Sequence, residues 1–166
     1  ILGGDNEKEV RIFFSSNHIM FDFDSTLVVS RLIEGEYFRI SQMLSSDYET
    51  KVSVNRRTFL DSIERASILI RENDKKPIII TISDEGMQLK MNSAFGTMSA
   101  EVGITKYGKD LMIGFNPKFL IDALRIIDDE EVTLYMMNPK SPCFIKDEEE
   151  NYIYLILPVN FNAAAV

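Results

Sequence analysis

Apolar residues at positions 59, 60, 63, 66 and 70 recur at helical spacing and give residues 55–70 one buried face. The same face returns at 116–127. Setting Asn55 on Asn116 aligns Phe59 with Leu120, Leu60 with Ile121 and Ile63 with Leu124, while Arg57 meets Lys118 and Asp61 meets Asp122. Asn is a preferred helix cap because its side-chain oxygen accepts an otherwise orphaned backbone N–H, and Pro117 stands where a first helical residue tolerates lacking one. A strand-like alternating segment precedes each helix and three more follow it, so the chain reads as a β-α-β-β-β unit written twice.

The first copy is expected as strand 49–54, helix 55–70 and strands near 77–82, 86–92 and 96–105. The second is strand 109–114, helix 116–127 and strands near 131–137, 142–147 and 152–158. Lys75-Lys76-Pro77, Asp84-Glu85-Gly86 and Lys106-Tyr107-Gly108-Lys109 punctuate them. Upstream, residues 9–15, 17–23 and 25–32 alternate as strands, with turns at Ser15-Ser16-Asn17 and Asp24-Ser25. Glu34-Gly35-Glu36 breaks that pattern, 37–44 reads as a short helical turn, and Ser45-Ser46-Asp47 reads as a linker. Three strands alone make a marginal sheet, so residues 1–44 are expected to begin inside a neighbouring domain. Antiparallel sheets with two amphipathic helices on one side define an α+β domain.

Composition adds limits. At 166 residues, with 45% apolar and 27% charged, the chain is globular and holds one domain or one plus a piece of another. Eighteen basic against 26 acidic residues give a net charge of -8, which by itself argues against tight general affinity for nucleic acid. Acidic runs at 128–131 and 147–150 lie between apolar segments and read as solvated loops. The apolar runs are strand-sized, so none spans a membrane, and the first residues lack the features of a signal peptide. A single cysteine, Cys143, excludes an intrachain disulfide and a cysteine-cluster metal site, and the compartment reads as cytoplasmic.

Candidate chemistry is sparse. Asp22 and Asp24 sit two apart on a strand and share a face, an arrangement able to hold a divalent cation or do acid/base work, but no third ligand is near in sequence. His18, the only histidine, has no catalytic or metal-binding companion, and Gly108-Lys109 lacks the glycine spacing and Ser/Thr of a phosphate loop. The cations Arg56, Arg57 and Lys118 are more informative. They occupy the first turns of both helices, where positive charge is unfavourable by about 0.3–1 kcal/mol each. Such positions suit a phosphate backbone or are ordinary surface charge. The apolar end, 154–161, is either a core edge strand or the rim of a docking groove.

Four stretches, SRLIEGEYFRISQML (30–44), NRRTFLDSIERASIL (55–69), MIGFNPKFLIDAL (112–124) and YLILPV (154–159), together resemble the C-terminal half of the bacterial DNA polymerase III β subunit, the sliding clamp. The likeness runs from about residue 4 to residue 161 in order and spacing. It implies the DNA clamp fold, with residues 1–45 the last portion of a middle domain, 46–162 a complete C-terminal clamp domain and 163–166 a tail. It implies a non-enzymatic homodimeric ring around duplex DNA, without cofactor or metal. Its partners would be the replicative polymerase, the clamp loader and repair proteins, held through short peptide motifs.

By the same resemblance, the peptide pocket takes Phe38, Met43, Asn116, Phe119, Leu155, Ile156, Leu157, Pro158 and Val159, its other wall coming from the rest of the middle domain. Phe38 stands where proline is common and Asn160 where arginine is common, which puts the family's peptide preference in doubt. Arg56, Arg57 and Lys118 would face DNA. Ile68 and Leu69, with an edge strand near 96–104, would form the subunit interface; core packing is the alternative for that pair. A stand-alone peptide-binding module with the same fold is the competing function, and a metal-dependent hydrolase using Asp22 and Asp24 a remote third.

Overall fold

Alternation in the sequence becomes three sheets in the computed structural model, which describes residues 9–36, 47–69, 76–149 and 151–161. The chain forms two compact units, Ile1–Leu44 and Ser45–Val166. In the first, β1 (Arg11–Phe14), β2 (His18–Phe23) and β3 (Thr26–Arg31) make an antiparallel meander with the turns where Ser15-Ser16-Asn17 and Asp24-Ser25 place them. Phe14, Leu27 and Val29 are exposed on it. The expected helical turn at 37–44 and most of the 45–47 linker lie outside the described residues.

The second unit contains the duplication. β4 (Thr50–Asn55), α1 (Arg56–Ser67), β5 (Ile78–Ser83), β6 (Gly86–Ser93) and β7 (Gly96–Val102) form the first copy. After β8 (Ile104–Gly108), the second copy is β9 (Leu111–Phe115), α2 (Pro117–Ile126), β10 (Glu131–Met136), β11 (Cys143–Lys146) and β12 (Ile153–Ile156). The copies exchange their first strands. β4 pairs with β10, Asn55 opposite Glu131, and β9 pairs with β5, Phe115 opposite Ile78. The resulting sheets run β12-β11-β10-β4-β8 and β7-β6-β5-β9, so neither copy closes a core without the other.

Alternation along these strands turns Val52, Val54, Ile78, Ile80, Ile82, Leu89, Ile113, Phe115, Val132 and Leu134 inward, where they meet Phe59, Ile63 and Ala66 of α1 and Leu120, Ala123 and Leu124 of α2. Burial of α1 at 59, 63 and 66 follows the expected face; Leu60 is half-buried, and Ser62 is buried with its hydroxyl donating to the Thr58 carbonyl (2.8 Å). Both Asn caps form: the Asn55 side-chain oxygen accepts from Thr58 N (3.0 Å) and that of Asn116 from Lys118 N (3.0 Å). The helices touch through Arg125 and Glu64 at 2.7 Å. The offset that sets Asn55 on Asn116 also sets Glu64 on Arg125, so equivalent positions face each other, as a local two-fold requires, with opposite charges filling the duplicated place.

One expected element divides. The single strand near 96–105, with a turn at 106–109, is instead two strands broken at Gly103: β7 edges one sheet and β8 crosses to edge the other beside β4. Gly108 ends β8 at φ 94°, packed so closely on Glu49 that a Cβ would overlap the Glu49 carbonyl. Lys106 bridges Asp84 and Asp110, which ties the β5–β6 turn to the β8–β9 turn. Among the described residues, no helix is long and apolar enough to cross a membrane.

Candidate functional site

Three surfaces of the second unit hold those expected site residues that belong to it. The first surrounds the chain end. After β12 the backbone leaves the five-stranded sheet as a strap, 157–161, and reaches β9 at the border of the other sheet, where Val159 N donates to the Gly114 carbonyl (2.8 Å). Leu157 is 60% exposed and Phe119 of α2 is 53% exposed, while Leu155, Pro158 and Val159 are half-buried. Ile156 departs from the expected pocket set: strand alternation turns its side chain inward, where it is 4% exposed within the core. The Asn116 side-chain oxygen is engaged as the cap of α2. Phe38 and Met43 lie outside the described residues.

The second surface comprises the helix starts. Arg57 and Lys118 are exposed. Arg56 is not a free surface cation: it is half-buried, its Nε donating to the Asp129 carbonyl (2.7 Å) and its Nη1 to the Leu124 carbonyl (3.1 Å). Leu124 belongs to the last turn of α2, whose carbonyls have no partner within the helix and carry its partial negative charge. A cation at the start of α1 is thus explained by the end of α2, a relation that neither helix's own sequence displays.

The third surface is the β7 border. β7 is an edge strand, α1 packs on it, and Ile68, just past the helix, is 81% exposed. Leu69 is half-buried. Core packing therefore does not account for Ile68.

Other candidates stay apart. Asp22 lies 3.8 Å from Arg11, and Asp24 occupies a turn at φ 49°. No group of three potential metal ligands occurs among the described residues. The His18 ring bonds to Asn17 (2.7 Å). Burial pushes the Cys143 thiol up to about 12, leaving it protonated and inert. The strap also rests on Gly114, a glycine inside a strand, which is the sequence signal for a close backbone approach.

The family model of the DNA polymerase III beta subunit, C-terminal domain, matches residues 41–160. The beta sliding clamp of Staphylococcus aureus is 34% identical over 158 residues, covering 93% of this chain and 42% of that protein. A crystal structure from Eubacterium rectale, provisionally assigned as a DNA polymerase III beta subunit, is 62% identical with a TM-score of 0.88, covering 98% of this chain and 44% of the other. The DNA polymerase sliding clamp of Bacillus subtilis is 28% identical with a TM-score of 0.82, covering 95% and 43%. The chain spans less than half the length of these relatives. With the family match extending across most of a duplicated, strand-exchanged fold, the chain belongs to the bacterial DNA polymerase III β subunit family, the sliding clamps, and carries its C-terminal domain.

Proposed function

We propose that this chain is part of a ring that encircles duplex DNA in the bacterial cytoplasm and tethers the replicative polymerase, the clamp loader and repair proteins, without catalysing a reaction. Residues 46–162 would be the complete C-terminal clamp domain and 1–45 the last portion of the middle domain. The observation that carries this reading is the helix pair: equivalent positions 64 and 125 meet across a local two-fold, which gives a ring two like helices per domain with which to line its bore. Arg57 and Lys118 face DNA in this proposal, and Arg56 acts as a brace. A sliding ring needs weak, screened attraction to phosphates rather than tight contacts, which an acidic exterior permits. Ile68, Leu69 and the β7 edge form the subunit contact.

Peptides dock at the chain end, where Leu155, Leu157, Pro158, Val159 and Phe119 provide apolar surface beside Asn116. Burying two apolar peptide side chains contributes about 1.5–3 kcal/mol each before ordering costs, about 3–6 kcal/mol together, which by itself supports an affinity of about tens of micromolar at best. The test is titration of a short peptide with a polar anchor followed by leucine and phenylalanine into isotope-labelled protein. Shifts gathered on Phe119, Leu157 and Val159 support the surface; shifts centred elsewhere, or none, contradict it.

A further inference from the structure

The strap reaches its place by a specific contact. A Cβ built on Gly114 would lie 2.7 Å from the Phe161 ring, 3.0 Å from the Val159 carbonyl and 3.3 Å from Ile79 Cδ1, so a larger residue fits only if the Phe161 ring shifts and the strap gives way. Ile79 stands opposite Gly114 in the β5–β9 register and between two core-facing isoleucines, which places it on the sheet face away from the core. It is nevertheless only 5% exposed. The strap lies against that face: Phe161 sits over Gly114 beside Ile79, and the Val159 amide closes on the Gly114 carbonyl. Leu157, Pro158 and Val159 run between two fixed points, the end of β12 and this contact.

We propose that Gly114 and Phe161 form a latch that holds the strap in register and thereby positions the peptide-docking residues. Neither is a contact residue for the peptide; both are positioning residues, and this role rests on the docking surface proposed above. The physical reason is preorganisation: a strap already ordered need not be ordered by the ligand, so the affinity lost with the latch is the cost of restoring that order. Phe161 acts through its apolar bulk, and Gly114 through the absence of a side chain.

The test uses Phe161→Ala, Phe161→Leu and Gly114→Ala with two readouts: hydrogen exchange of the Val159 amide against that of Ile80 in the core, and binding of the peptide named above. Phe161→Ala and Gly114→Ala should speed exchange at Val159 but not at Ile80 and weaken the peptide about tenfold. Phe161→Leu, which keeps an apolar contact, should retain most of both. Unchanged Val159 exchange in Phe161→Ala overturns the latch, whatever Gly114→Ala does to folding. Faster exchange with unchanged peptide affinity overturns the positioning role. Failure of the unaltered chain to bind peptide overturns the docking surface and the positioning role with it, and the exchange data still decide whether the latch exists.

Discussion

Replacing Arg56 by alanine removes a brace from the start of α1 to the end of α2, and its cost follows from two bonds. The guanidinium donates to the Leu124 carbonyl at 3.1 Å and the Asp129 carbonyl at 2.7 Å. Hydrogen bonds from a charged group contribute about 1.5–3 kcal/mol each where they are shielded. Arg56 is half-buried, and a single side chain's two bonds are not additive, so about 2 kcal/mol is the expected loss. At about 2–4 °C per kcal/mol for a chain of this size, the midpoint should fall by about 4–8 °C. Thermal unfolding followed by the helical circular dichroism signal measures this in the unit that holds α1 and α2. Arg57→Ala, at an exposed neighbour, is the control and should change stability by no more than about 0.5 kcal/mol. Equal midpoints for the two variants, or an Arg56→Ala midpoint matching the parent, would refute the brace.

Gly108→Ala should cost at least about 3 kcal/mol in denaturant unfolding, since the new Cβ meets the Glu49 carbonyl at a φ of 94°; a variant of parental stability would show that the β4–β8 border yields. Ile63→Ala, at 0% exposure in the core, should cost about 2–5 kcal/mol, whereas Ile68→Ala, at 81% exposure, should stay within about 0.5 kcal/mol; reversal of that order by the same assay would return Ile68 to the core. Burial and the hydrogen bond from its hydroxyl to Asp129 raise the Tyr152 pKa above its ordinary value of 10.0. The folded state therefore holds this proton longer than the unfolded one, and the contribution is intact below pH 10.0 and is lost as pH rises through the folded value. Tyr152→Phe should flatten the alkaline fall in stability, and an unchanged profile would remove Tyr152 as its source.

The repeated elements were legible because each carries its own signals: Asn55 and Asn116 as caps, Pro117 at a helix start, and periodic apolar faces that bury Phe59, Ile63 and Ala66 in one helix and Leu120 and Leu124 in the other. What was not legible depends on distant partners. No local pattern distinguishes β4 paired within its own copy from β4 paired with β10. Gly108 reads as a turn residue, yet it ends a strand opposite Thr50, where Glu49 leaves no room for a Cβ. Arg56 reads as an unfavourable surface charge until the Leu124 carbonyl at the end of α2 is placed beside it. The docking surface was legible only in part: alternation along 153–156 sends Ile156 into the core, and the value of Gly114 becomes visible once the strap has crossed from one sheet to the other.

Encirclement is a topological property, and retention on DNA measures it. A full-length clamp containing this chain as its C-terminal part should be loaded onto a nicked circular plasmid and separated from free protein by gel filtration before and after one restriction cut. An encircling ring should give a complex that survives on the circle in salt strong enough to screen surface charge and dissociates on linearisation, because a ring slides off an end. Equal retention on circular and linear DNA, or none on either while the chain-end surface still binds peptide, would contradict encirclement and favour a stand-alone peptide-binding module.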